Sequence, residues 1–191
     1  MNIFRKIFGR SGASGETADD YTEPQSGLVF PMELGGLRRF GLGRPYAEDN
    51  GSGESIPYGA NQVHATIYVT TVGGAQFPEG GESDFIRNEL ESAMAAVQEM
   101  QQLGYYDSIK FFSAEPQKLG SDPANLIWAR GAFFTLNKGR PMMSFTYITA
   151  LRSHVIKLRI SASDPKNDGV EQFPHALGDL ISRQRSGHVG T

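Results

Sequence analysis

Residues 126–163 read LIWARGAFFTLNKGRPMMSFTYITALRSHVIKLRISAS. Three runs rich in aromatic and β-branched residues, LIWARGAFFTL, PMMSFTYITAL and SHVIKLRISAS, are parted by two short breaks. Such runs form strands. Asn137-Lys138-Gly139-Arg140 makes the first break, and Gly139 supplies the left-handed position that a tight hairpin loop needs. Leu151-Arg152-Ser153 at the second leaves room only for an antiparallel return. Parallel strands need a long crossover, so this stretch by itself predicts an antiparallel sheet.

Upstream, QVHATIYVTTV sets Val63, Ala65, Ile67 and Val69 against His64, Thr66, Tyr68 and Thr70, the period-two pattern of a half-buried strand. Between this run and the triple hairpin the period changes. GESDFIRNELESAMAAVQEMQQLG spaces Ile86, Leu90, Ala93, Met94, Val97 and Met100 at three- and four-residue steps, predicting an amphipathic helix over 83–103. Ser83 caps its start, and Gly104 stops it. Shorter strands are expected at Ser108–Glu115, near Arg38–Arg44 and at Ser55–Tyr58. Asp164–Gly169 is a turn, followed by a closing helix with Phe173, Leu177, Leu180 and Ile181 on one side; Pro174 should fall near its first turn or kink it. The expected fold class is α+β, an antiparallel β-sheet flanked by two helices.

The ends read differently. Residues 1–10, MNIFRKIFGR, form a short amphipathic basic segment, with Ile3, Phe4, Ile7 and Phe8 against Arg5, Lys6 and Arg10. Residues 11–27 carry Glu16, Asp19, Asp20 and Glu23, no base, and no Val, Ile or Leu. Without apolar anchors they read as a disordered, flexible acidic linker. A single domain is expected over 28–185, with 186–191 a tail. No secretory pattern opens the chain, so the expected location is cytoplasmic, peripheral to a membrane if residues 1–10 touch one.

The passages GLVFPMELGGLRR, HATIYVTTVGGAQFPEGGESDFIRNELESA and FFTLNKGRPMMSFTYITALRSHVIKLRISASDP resemble the PsbP-like fold group in element order and hydrophobic spacing over roughly 28–183. The resemblance implies an antiparallel sheet flanked by helices and, since members are mostly accessory or partner-binding proteins, a role other than catalysis. No motif aligns specifically enough to carry over functional residues.

Composition and motifs narrow the chemistry. Cysteine is absent, which excludes disulfides, thiolate metal sites and cysteine nucleophiles. His64, His154, His175 and His188 form no metal-binding pair, and no nucleophile elbow occurs. His154 lies in register with Ile156 and Leu158, as a packed strand histidine would. The glycine-rich loop before Ser83 lacks a phosphate-loop ending and carries Glu79 and Glu82. Asp164–Gly169 fails as a calcium loop because Lys166 stands where a ligand should be. No cofactor and no metal is expected.

The net charge of −3 argues against nucleic acid, yet residues 123–163 hold six bases and no acid. Lys157 and Arg159 lie two apart, opposite Ile156, Leu158 and Ile160, while Lys138 and Arg140 flank a hairpin tip. These four are the candidate binding residues; Phe4, Ile7, Phe8, Arg5 and Lys6 are the candidates for docking to a membrane or partner. The leading expectation is a non-enzymatic protein-binding or accessory module with a protein partner. A peripheral membrane or anionic-ligand module comes second, weak contact with anionic membrane included, and an enzyme with an unrecognised site third.

Overall fold

The computed structural model describes residues 20–48, 51–73, 76–112, 114–122 and 125–186. Tyr21–Thr22 (β1) pairs with Val29–Phe30 (β2) as a small ribbon. The main sheet is built from Glu33–Leu34 (β3), Leu37–Arg39 (β4), Arg44–Glu48 (β5), Gly51–Ala60 (β6) and Val63–Thr71 (β7). After helix Asp84–Gln102 (α1) it continues with Ser108–Phe112 (β8), Gln117–Lys118 (β9), Ile127–Asn137 (β10), Arg140–Leu151 (β11) and His154–Ala162 (β12). Helix Asp168–Ser186 (α2) follows. Every pairing is antiparallel, in the order β3-β4-β6-β7-β12-β11-β10-β8, with β5 beside β6 and β9 beside β10. The expected α+β class, an antiparallel sheet flanked by two helices, is the fold of this chain.

The three late strands form the expected double hairpin, and the last of them turns back to pair with β7 from Thr71↔His154 to Val63↔Ala162. At the β10–β11 turn both Lys138 (φ 52°) and Gly139 (φ 72°) are left-handed. A second tight turn joins β6 to β7 through Asn61 (φ 47°) and Gln62 (φ 67°). With no glycine it gave no hairpin signal, and β6 runs ten residues where only Ser55–Tyr58 was expected.

Alternation assigns the two faces. Val63, Ala65, Ile67 and Val69 share a face with Ile156, Leu158 and Ile160, and α2 covers it with Phe173, Leu177 and Ile181. Phe173 lies 5.1 Å from Tyr58, ring centre to centre. Gly178 permits a close approach here, since a Cβ on it would fall 2.5 Å from the Leu119 carbonyl oxygen. On the other face α1 sets Ile86 and Leu90 against Ala129, Ile148, Ala150 and Val155. Pro174 falls in the second turn of α2, next to the first; it is buried and withholds the N–H that Val170 would otherwise receive. Asn167 sets the start of the helix, accepting from Gly169 N through its side chain (3.0 Å) and from Val170 N through its carbonyl (2.9 Å).

The domain boundary needs correction. Residues 20–27 were expected in the flexible linker, but the fold takes in β1 and the turn behind it. Glu23 is fully buried, accepting from Gln25 N (3.1 Å), Ser26 N (2.7 Å) and Ser26 Oγ (2.5 Å). The adjoining Val29 is clasped by Gln184 of α2, backbone to side-chain amide in both directions at 2.7 Å. The anchor is polar, so a search for apolar anchors passes over it. The remainder of the expected linker, residues 1–10 and the tail beyond Ser186 lie outside the described residues. Among the described residues, no helix is long and apolar enough to cross a membrane.

Substituting Glu23→Ala in the full chain removes the buried acceptor that three donors of this turn share. It should destabilise the fold by about 1–3 kcal/mol. Urea unfolding checks this, with the midpoint falling and the slope unchanged.

Candidate functional site

Helix α1 spans only part of its face. Beyond Val155 and Ile148, the same face continues over β12, β7, β6 and β5, and among the described residues no helix lies over it. Parity sends Lys157 and Arg159 of β12 there, with His64, Thr66 and Tyr68 of β7, Ser55 of β6, and Arg44 and Tyr46 of β5. Lys157, Arg159, Thr66, Tyr68 and Tyr46 are half-buried, while His64 and Arg44 are exposed.

Cations and rings interleave on this surface. The Tyr46 and Tyr68 rings lie 4.6 Å apart at a tilt of 50°. Lys157 Nζ stands over both, 5.9 Å from the Tyr46 centre and 5.7 Å from that of Tyr68. Two residues along the strand, the Arg159 guanidinium lies 5.7 Å from the centre of Phe133 and donates to the Tyr106 hydroxyl at 2.9 Å. Each such contact is worth about 0.5–1 kcal/mol where water has access, and more where it does not. The rings also fix the cations in place, so positive charge is held at two defined points. Neither β7 nor β12 contains an acidic residue.

The four candidate cations do not converge. Lys157 and Arg159 lie on the uncovered half-sheet. Lys138 and Arg140 are exposed at the β10–β11 tip, where Asp107 accepts from Gly139 N at 2.9 Å. Arg140 is six residues along β11 from Thr146, which faces Arg159, a separation of about 20 Å along the strand. Phe4, Ile7, Phe8, Arg5 and Lys6 lie outside the described residues. Tyr46, Tyr106 and Phe133 were missed; only Tyr68 was already placed on the polar face of its strand.

A cleft of about 390 Å³ opens beside the strip, between Glu23–Gln25, Pro45–Tyr46 and Ser52–Glu54. Both of its carboxylates are committed: Glu23 to its turn, and Glu54 to the Tyr21 hydroxyl. Among the described residues, no group of three or more His, Asp or Glu is placed to hold a metal ion. His154 sits on the α2 face as its register implied. Burial holds its pKa below the ordinary histidine range, opposed by the Glu23 carboxylate and reinforced by Arg152. Asp179 on α2 accepts from Asn125 Nδ2 (2.9 Å) and Ser121 N (2.8 Å), which hold its pKa below the usual carboxylate range and tie the loop before β10 to that helix.

No family model matches this chain, and no curated protein matches it.

Two outcomes follow from this geometry. The Tyr106–Arg159 hydrogen bond should show a coupling of about 0.5–1.5 kcal/mol in a urea double-mutant cycle of Tyr106→Phe and Arg159→Met. For His154, the unfolded chain binds a proton more readily than the folded one, so stability present above the unfolded pKa is lost as pH falls through the folded pKa. Unfolding midpoints should therefore drop below about pH 6.5, and His154→Gln should flatten that slope.

Proposed function

We propose that the protein is a non-enzymatic protein-binding module whose uncovered half-sheet takes an extended acidic segment of a partner. The observation that carries this reading is the fixing of Lys157 over Tyr46 and Tyr68 and of Arg159 over Phe133, on a face that α1 leaves bare. Cations two residues apart on one strand are about 6.8 Å apart, the repeat at which alternate side chains of an extended peptide project from one side. Glu or Asp at alternate positions would meet both. Arg159 spends one of its N–H donors on Tyr106, and the fork geometry of the remainder suits a carboxylate. The overall charge of −3 makes this strip a local positive field on an acidic protein, which favours encounter with an acidic segment there. The resemblance to the PsbP-like fold group leans the same way, and the commitment of Glu23 and Glu54 to intrachain hydrogen bonds favours binding over catalysis.

The test titrates the full chain with peptides of equal composition, one alternating Glu with Thr and the other carrying its Glu in one block, and with vesicles containing anionic lipid. The alternating peptide should bind tightest, and its affinity should fall about tenfold in the Lys157→Ala/Arg159→Ala double variant. Amide shifts should be confined to β5, β7, β12 and the residues about Tyr106 and Phe133. Equal affinity in the double variant overturns the proposal, as does vesicle binding without peptide binding, the result that the membrane reading expects.

A further inference from the structure

We propose that the β8 edge of the sheet pairs with β8 of a second copy of this chain, giving a two-fold symmetric dimer with one continuous sheet. β8 closes the strand order, and among the described residues no strand pairs with its outer side. Among the described residues six large hydrophobic side chains are exposed, and four of them, Leu103, Tyr105, Phe111 and Phe112, fall within residues 103–112. The left-handed Gly104 (φ 80°) ends α1 there and turns the chain into this edge. A free edge lined with aromatic side chains is a template for another strand.

The sequence of β8 offers a second copy a register without like charges opposed. An antiparallel pair about an axis normal to the sheet keeps each face on its own side, so the axis must pass midway between one residue and the same residue of the second copy. Centred on Lys110, it would set two ammonium groups opposite each other, which is unfavourable. Centred on Phe111, it sets Phe111 against Phe111 of the second copy on the α1 face. On the other face each Lys110 then lies opposite Phe112 of the second copy. That combination already occurs within the chain, where Lys110 Nζ stands 5.7 Å over the Phe112 ring. Phe111 is held ready by Phe133, 6.0 Å away between ring centres. The segment 103–112 carries one acid, Asp107, and one base, Lys110, so joining two copies here adds no like charge despite the net −3 of each. Five residues a side form a small patch, below the roughly 1,200 Å² typical of stable complexes, so the dimer should be concentration-dependent.

The chain lacks cysteine, so a single introduced thiol reports on the axis. Residues facing each other across an antiparallel pair have Cα atoms about 4.5–5.5 Å apart, within disulfide reach. Under mild oxidant, Phe111→Cys should form a covalent dimer about tenfold faster than Asn88→Cys, a control on the exposed side of α1. Sedimentation of the full chain from about 10 μM to 1 mM should show a monomer–dimer equilibrium. Phe111→Glu should weaken it about tenfold, and mixing with Phe111→Lys should restore it. Should Phe111→Glu unfold the chain, the cysteine comparison decides. A monomer throughout the range overturns the proposal. So does Phe111→Cys crosslinking no faster than the control, the outcome expected if a peptide or residues 1–10 occupy this edge instead.

Discussion

The fold hangs on the pairing of β7 with β12. These strands lie on opposite sides of α1 in the sequence, yet they run together over nine residue pairs in the middle of the sheet. Each half of the chain makes a meander of local hairpins, and either meander alone would expose a row of unpaired backbone groups along one strand. Joining them removes both exposed edges at once. It also aligns Ile67 with Leu158 and Val69 with Ile156, all almost completely buried beneath α2. A slip of one residue in this register would turn that apolar set outward and bring Lys157 and Arg159 into the core. Core and candidate site are thus two sides of a single register.

The late hairpins were legible because their alternation is local and their turns are short. Facing of Lys157 and Arg159 away from Ile156, Leu158 and Ile160 was equally legible, by parity alone. The rings that hold these cations were not. Tyr46 and Tyr106 are far from β12 in sequence, and they reach it through the strand order, which local patterning does not encode. Phe133 was visible only as one more apolar residue in an apolar run. At the N-terminal boundary the reading failed for a different reason: Glu23 counted as a solvated acid, whereas it is the buried acceptor of its own turn. Burial of a carboxylate depends on donors converging on it in space, and sequence lists the donors without their directions.

Two helices of nineteen residues each cannot blanket both faces of a sheet this wide, and they sit on opposite faces. The face under α2 is sealed along β7 and β12 by the apolar residues of both strands. The α1 face is sealed only toward β10 and β11, so its remaining strands carry Thr, Ser, Tyr, Lys and Arg. Polarity on that half is what solvent contact demands, but stacking cations on rings goes further than solubility requires. It holds charge in place at a cost in side-chain entropy that freely solvated lysines would avoid.

The clasp between Val29 and Gln184 joins positions 155 residues apart and so encloses nearly the whole described chain. Its closure entropy can be met only after the intervening sheet has formed, which places it late in folding. Once made, it ties the β1–β2 ribbon to the last turns of α2. These segments should fray together as one cooperative unit, exchanging amide protons in step while the β7–β12 centre stays closed. The domain is therefore opened from its two chain ends jointly, and a pull on either end is felt first at the other.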